Sequence, residues 1–86
     1  MSQATIIIYS KAHCPYCDHA KQLLEAKGLT YTEHRVDLEP QHLDDMLARG
    51  KGRTFPQIII GETAIGGFDD LAQLVKDGQL DVLLEK

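Results

Sequence analysis

Two cysteines, Cys14 and Cys17, are the only ones in the chain, and they stand three residues apart in the segment Cys-Pro-Tyr-Cys. This spacing is typical of a redox-active dithiol, in which one thiolate attacks a disulfide and the second thiol resolves the mixed disulfide. A β-branched, apolar run from Thr5 to Tyr9 precedes the pair, and helical spacing follows from Pro15 to Lys27. We therefore expect the dithiol between a strand and a helix.

That position predicts a different role for each sulfur. Proline suits the first turn of a helix, so Pro15 would begin the helix and Cys14 would lie at or near its N-cap. Unpaired backbone N–H groups and the helix dipole favour an anion there. Cysteines in such positions have a pKa of roughly 3.5–7.5, against about 8.5 for a free thiol. We predict Cys14 as the attacking thiolate and Cys17, one turn further in, as the resolving thiol.

Composition excludes several classes of protein. With 86 residues, 43% of them hydrophobic, the chain is predicted to form a single domain, residues 1–86, with one modest core. A formal net charge of -4 gives no basic surface for nucleic acid or an anionic membrane, so neither is an expected partner. The first residues lack a signal-peptide pattern, and the isoleucine run is too short to span a bilayer. We expect a cytoplasmic protein, in which a lone cysteine pair is more often catalytic or metal-binding than structural.

The periodicity of the chain predicts an α/β fold with elements in the order βαβαββα. Gly28 is expected to end the first helix. Three strand segments should follow, at residues 31–36, 57–60 and 63–65. A second helix is expected from Pro40 to about Gly50, and a last helical region after Gly66-Gly67. A βαβ unit followed by a hairpin predicts a mixed four-stranded sheet with helices on both faces.

With this order of elements, four motifs make the chain resemble a dithiol glutaredoxin, a family of the thioredoxin-like fold. They are Tyr9-Ser10-Lys11, Cys14-Pro15-Tyr16-Cys17, Thr54-Phe55-Pro56-Gln57-Ile58 and Gly66-Gly67-Phe68-Asp69-Asp70-Leu71. The resemblance covers essentially the whole chain. It implies a glutathione-dependent thiol-disulfide oxidoreductase that uses glutathione as co-substrate and holds no tightly bound cofactor.

The resemblance also implies a glutathione-binding groove beside Cys14. Its residues would be Lys11, Tyr16, Arg53, Thr54, Phe55, Pro56, Gly67, Phe68 and Asp69. The family has a cis peptide bond before the proline, here Phe55-Pro56, and the residue before that proline pairs through its main chain with the cysteine of glutathione. Asp69 would pair with the γ-glutamyl ammonium group. Lys11 would pair with the glycyl carboxylate, for which Arg53 and Gln57 are weaker candidates.

Three of these motifs have simpler explanations that stay open. Lys11 could be a solvated surface lysine, Pro56 a turn proline, and Gly66-Gly67 with Asp69-Asp70 an ordinary capped helix start. At the position of Phe68, relatives often carry cysteine or serine. We therefore assign Phe68 a backbone role only, and expect an aromatic ring near the site that could alter the choice of protein substrate.

The four histidines raise the alternative of a metal site. His13 and His19 flank the dithiol, but His34 and His42 are eight residues apart and no second cysteine pair exists. We therefore predict no metal site. Some relatives share an iron–sulfur cluster between two subunits, but these are mostly monothiol forms or forms without the proline, so Pro15 argues against that role.

The predicted chemistry has two routes. In the monothiol route, the Cys14 thiolate takes the glutathionyl group from a protein, and a second glutathione regenerates the thiolate without Cys17. In the dithiol route, Cys14 attacks a protein disulfide and Cys17 resolves the intermediate. The expected partners are glutathione and glutathionylated or disulfide-containing proteins, with ribonucleotide reductase as one candidate, and the chain is expected to be a monomer. Two alternatives are a thioredoxin-like donor reduced by a flavoprotein reductase and a non-enzymatic cluster-binding module.

Overall fold

Eight elements make up the computed structural model, which describes residues 4–85. The strands are β1 (Ile6–Ser10), β2 (Thr32–Arg35), β3 (Gln57–Ile60) and β4 (Thr63–Gly66). The helices are α1 (Pro15–Ala26), α2 (Gln41–Arg49), α3 (Phe68–Asp77) and α4 (Gln79–Leu84). Residues 1–3 and residue 86 lie outside the described part of the chain. The prediction about a signal peptide rests mainly on the first three of these residues.

The four strands form one mixed sheet in the order β2-β1-β3-β4. β1 pairs parallel with β2, to which it is connected through α1, and antiparallel with β3. β3 and β4 form the predicted hairpin around Gly61, whose φ of 62° lies in the left-handed region. The predicted mixed four-stranded sheet is confirmed, and the ends of the four strands, α1 and α2 lie within one residue of the predicted ones.

Alternation along the strands sends side chains to opposite faces of the sheet, and each face carries helices. Ile6 and Ile8 lie on the face covered by α1, α3 and α4. The buried helical residues on that face are Ala20, Leu24, Leu71, Leu80 and Leu84. Tyr9 and Ile59 lie on the other face, where Met46 of α2 is buried against them. The larger core therefore lies under the helix that begins at the dithiol.

The last helical region differs from the prediction because it is two helices. Gly78 has a φ of 74° and ends α3, and its N–H group lies 3.2 Å from the carbonyl oxygen of Val75. A residue in the left-handed region cannot continue an α-helix, and glycine adopts that conformation without a steric penalty. α4 then turns back so that Leu80 and Leu84 join the core.

α2 is attached to the sheet by one buried methionine and by polar side chains. The Tyr9 hydroxyl donates a hydrogen bond to the Asp45 carboxylate, and the Arg49 guanidinium lies 3.4 Å from the same hydroxyl. Burial and the Asp45 carboxylate raise the pKa of Tyr9 to about 12. The rings of His34 and His42 stack with their centroids 4.1 Å apart.

A prediction on pH concerns this histidine stack. Burial, and then the neighbouring His42, lower the pKa of His34, while Asp45 and Glu39 act in the opposite direction and Arg49 lowers it further. Because the pKa of His34 is lower in the folded chain than its unfolded value of about 6.5, the stack stabilises the fold above that pH. This contribution is lost as the pH falls through the lowered pKa.

Urea unfolding at pH 7.5 and pH 5.5 measures the effect. The wild type should lose free energy of unfolding at the lower pH, and His42→Gln should lose less because one cause of the lowered pKa of His34 is removed. His13→Gln, at an exposed position outside the stack, is the control and should follow the wild type. A wild type equally stable at both pH values would contradict the prediction.

A second prediction concerns the larger core. Leu24→Ala should lower the free energy of unfolding by about 2–5 kcal/mol, because the side chain is fully buried and its removal leaves a cavity. Leu47→Ala on α2 is the matched control, since that leucine is 41% exposed and its truncation should cost much less. Denaturation of both variants in the same redox state makes the comparison, and equal losses would contradict the assignment of the core.

Candidate functional site

The dithiol lies where β1 ends and α1 begins. Cys14 is the N-cap residue of α1, in extended conformation, and its Sγ accepts a hydrogen bond from the backbone N–H of Cys17 at 3.3 Å. The two sulfurs form a disulfide, with Cα atoms 5.2 Å apart. Cys14 is 8% exposed and Cys17 only 1%, so an incoming disulfide reaches Cys14 more readily. The predicted N-cap position is confirmed, and a thiolate there would accept the same N–H group.

The loop before Cys14 is held by a contact that the sequence did not reveal. The Ala12 N–H group donates to the Asp37 carboxylate at 3.2 Å. The Arg35 guanidinium donates two hydrogen bonds to the same carboxylate, at 2.8 Å and 2.7 Å. These bonds hold the pKa of Asp37 well below its usual range. Arg35 is the last residue of β2 and Asp37 follows it, far along the chain from the dithiol. The parallel pairing of β1 with β2, with Ser10 opposite Arg35, brings them to the loop before Cys14.

The second wall of the site is the loop before β3. The Phe55-Pro56 peptide bond is cis, as the resemblance implied. Gln57 is 2% exposed and its side-chain amide donates to the Thr54 carbonyl oxygen at 2.9 Å, while its Oε1 accepts the Lys51 N–H at 3.0 Å. The resemblance makes Gln57 a weak candidate for binding the glycyl carboxylate of glutathione. In the fold, its buried side-chain amide holds this loop.

The third wall is the start of α3. Gly66 has a φ of 112°, and a Cβ atom there would lie 2.4 Å from the Asp70 carboxylate, so the position requires glycine. The same carboxylate accepts the Gly67 N–H at 3.0 Å and caps the helix. Asp69 is exposed. Gly67 lies beside the cis-proline loop, where a Cβ atom would be in ordinary van der Waals contact with the Pro56 carbonyl oxygen at 3.5 Å.

These walls enclose a cleft of about 300 Å³. Six of the nine residues predicted to bind glutathione line it, together with Asp70: Tyr16, Thr54, Phe55, Gly67, Phe68 and Asp69. Lys11 lies beside it, with its Nζ 5.1 Å from the centroid of the Phe55 ring. Pro56 is buried, and Arg53 is exposed but does not line the cleft. A larger cleft of about 500 Å³ lies near the start of β1. Neither cleft is lined by a cysteine, but Tyr16, between the two cysteines, lines the smaller one and places it beside the dithiol.

Three aromatic rings lie together at the cleft, and two of them line it. We call Tyr16, His19 and Phe68 the aromatic trio; their centroids are 5.7–6.2 Å apart. Tyr16 is 58% exposed, whereas Phe68 is half-buried and packs against the larger core. His19 had no predicted role, although its position three residues after Tyr16 places both on one face of α1.

Neither a metal site nor a membrane helix is found between residues 4 and 85. No group of three or more histidine, cysteine or acidic side chains in that range is arranged to hold a metal ion. Within the same range, no helix is long and apolar enough to cross a membrane. His34 and His42 lie by α2, on the sheet face opposite α1.

Comparison with known proteins gives the family. The glutaredoxin family model matches residues 6–65. The chain belongs to the glutaredoxin family. A glutaredoxin of Pseudomonas aeruginosa is 46% identical over 79 residues, covering 92% of this chain and 94% of that protein.

Solved glutaredoxin structures have the same fold. The solution structure of a glutaredoxin from Brucella melitensis matches with a TM-score of 0.82 and 43% identity, over 98% of this chain and 91% of that one. The crystal structure of the buckwheat glutaredoxin–glutathione complex matches with a TM-score of 0.84 and 29% identity, over 95% and 77% of the two chains. The predicted dithiol glutaredoxin and thioredoxin-like fold are confirmed. Membership of this family makes the chain a thiol oxidoreductase that depends on glutathione.

A prediction follows from the amide of Gln57 in this glutaredoxin. Gln57→Ala should lower the free energy of unfolding by about 1–3 kcal/mol, because the loop loses three polar contacts and the Lys51 N–H loses its partner. The loop also lines the cleft, so the apparent KM for glutathione should rise. Urea unfolding and steady-state kinetics measure the two effects.

Gln73→Ala is the matched control, because Gln73 is exposed on α3 and bonds only within its own helix, to Asp77 at 3.0 Å. It should change the free energy of unfolding by less than about 0.5 kcal/mol. Equal effects of the two alanine substitutions on stability and on KM would contradict the role given to Gln57.

Proposed function

We propose that this chain reduces protein–glutathione mixed disulfides through a Cys14 thiolate. The observation that carries the proposal is the position of Cys14, at the N-cap of α1 and more exposed than Cys17, beside a cleft lined by residues of the predicted groove. A helix N-terminus stabilises a thiolate, and the thiolate is the form of cysteine that attacks disulfides.

The monothiol route consists of two thiol–disulfide exchanges. The Cys14 thiolate attacks the glutathionyl sulfur of the mixed disulfide, the sulfur–sulfur bond to the protein breaks, and the protein leaves as a thiolate that takes up a proton. A second glutathione, as thiolate, attacks the glutathionyl sulfur now bound to Cys14. Glutathione disulfide leaves and the Cys14 thiolate is restored, so two electrons pass from glutathione to the protein.

The dithiol route reduces a protein disulfide. Cys14 forms a mixed disulfide with one sulfur of the client, and the client's other sulfur leaves as a thiolate. The Cys17 thiol, after losing its proton, then attacks the Cys14 sulfur and releases the client sulfur that was bound to it. The product is a Cys14–Cys17 disulfide, the pairing present in this structure, which supports the route. Two glutathione molecules then reduce it to the dithiol and leave as glutathione disulfide.

Glutathione is proposed to lie in the cleft with its charged ends apart. The exposed Asp69 carboxylate, at the start of α3, suits the γ-glutamyl ammonium group. Phe55, next to the cis bond, would pair through its main chain with the cysteine of glutathione. At the other end, Lys11 lies over the Phe55 ring, where its ammonium group can meet the glycyl carboxylate, and Arg53 is the second candidate.

The wider setting is proposed on the same basis. The clients would be glutathionylated or disulfide-bonded proteins, with ribonucleotide reductase as one candidate, and residues 1–86 would act as a monomeric single domain. A lone cysteine pair of this kind fits the reducing cytoplasm.

The test is the reduction of a small glutathione mixed disulfide, coupled through glutathione reductase to NADPH oxidation. Cys14→Ser should fall to the uncatalysed background. Cys17→Ser should keep activity on the mixed disulfide but lose the reduction of a protein disulfide, because only the dithiol route needs the second sulfur. The two serine variants are controls for each other, since each removes one sulfur of the same pair. A wild type that is active with thioredoxin reductase but inactive with glutathione would overturn the proposal.

A further inference from the structure

We propose that the aromatic trio of Tyr16, His19 and Phe68 binds an apolar or aromatic side chain of the client protein, next to the client's glutathionylated cysteine. The inference rests on the proposed function and adds the class of protein substrate to it. It depends on where the rings lie relative to the cleft, on how they are held and on the charges around them.

The trio extends the cleft towards the surface. Tyr16 and Phe68 line the cleft, whereas His19 lies beyond the residues that line it. The three rings nevertheless form one surface, since His19 lies 5.9 Å from Tyr16 and 5.7 Å from Phe68 between centroids. A client with its glutathionyl group in the cleft carries its own residues only a few bonds from Cys14. We infer that part of the client lies over this surface, because Tyr16 stands between the two cysteines and His19 follows Cys17 by two residues.

The helices that carry the rings are fixed by the core. Tyr16 and His19 project from α1, which is anchored in the core by Ala20 and Leu24. Phe68 begins α3 and packs against the same core. A surface held by two packed helices loses little conformational freedom on binding, so its contacts contribute more fully to affinity.

The chemistry of the trio favours an uncharged partner. Exposed aromatic side chains are enriched in protein interfaces and often carry much of the binding energy. Two exposed carboxylates flank the rings, Asp18 next to His19 and Asp69 next to Phe68. Asp18 forms an ion pair with Lys21 at 3.5 Å, and Asp69 would pair with the ammonium group of the bound glutathionyl moiety. The charges beside the rings are then balanced, so an apolar or aromatic residue can stack on the rings at no electrostatic cost.

The experiment uses two glutathionylated peptides that differ only in the residues on either side of the cysteine, two phenylalanines or two serines. The measured quantity is the ratio of kcat/KM for the two peptides, because a ratio is insensitive to changes in basal activity. The wild type should prefer the phenylalanine peptide by about fivefold, as expected for one aromatic contact.

Two substitutions should move this ratio towards one. His19→Ala removes a ring that does not line the cleft, and Phe68→Ser removes the ring that distinguishes this chain from many relatives. His19→Phe keeps a ring and should keep the preference. Val82→Ser is the control, because Val82 is an exposed apolar residue of α4. This helix lies at the end of the sheet away from the dithiol, where the Leu84 carbonyl oxygen accepts the Ala4 N–H. It should leave the ratio unchanged.

The outcomes separate the two proposals. A wild type that reduces a small glutathione mixed disulfide but shows no preference between the peptides overturns the aromatic trio as a client site and leaves the proposed function standing. A preference that both His19→Ala and Phe68→Ser retain also overturns it. A wild type inactive on every glutathione mixed disulfide overturns the proposed function and, with it, this inference.

Discussion

The hydrogen bond from the Cys17 N–H to the Cys14 sulfur, at the first turn of α1, is the contact on which the site depends. It exists because β1 ends at Ser10 and the chain must turn through four residues before α1 can begin. Ala20 and Leu24 fix the helix against the sheet, so the end of the helix cannot move away from β1. The core thereby decides where the reactive sulfur lies and which N–H groups face it.

The sheet brings the other walls of the site to the same place. Because β3 runs antiparallel to β1, the beginning of β3 lies beside the end of β1, with Tyr9 opposite Gln57. β4 runs antiparallel to β3, so its last residue, Gly66, lies opposite Ile58. The cis-proline loop and the start of α3 therefore both arrive at the dithiol. Three loops distant in sequence form one cleft because of strand direction alone.

The two faces of the sheet contribute differently to the molecule. The face under α1, α3 and α4 holds the larger apolar core and carries the helix on which the cysteines stand. The face under α2 has a smaller apolar cluster around Met46 and is completed by the Tyr9–Asp45 hydrogen bond and the histidine stack. The dithiol is therefore supported by the face with the larger apolar core.

The sequence by itself determined the features that depend on neighbouring residues. Cys14 with Pro15 predicted a sulfur at a helix N-cap, and the strand and helix periods predicted the order of elements, because both signals are local. Resemblance to a family supplied the cleft residues, most of which the fold does bring together. Only the tertiary structure decided the contacts between distant residues. Asp37 holds the loop before the dithiol, and Phe68 of α3 meets Tyr16 and His19 of α1. No local pattern marks these partners, because strand pairing and helix packing bring them together.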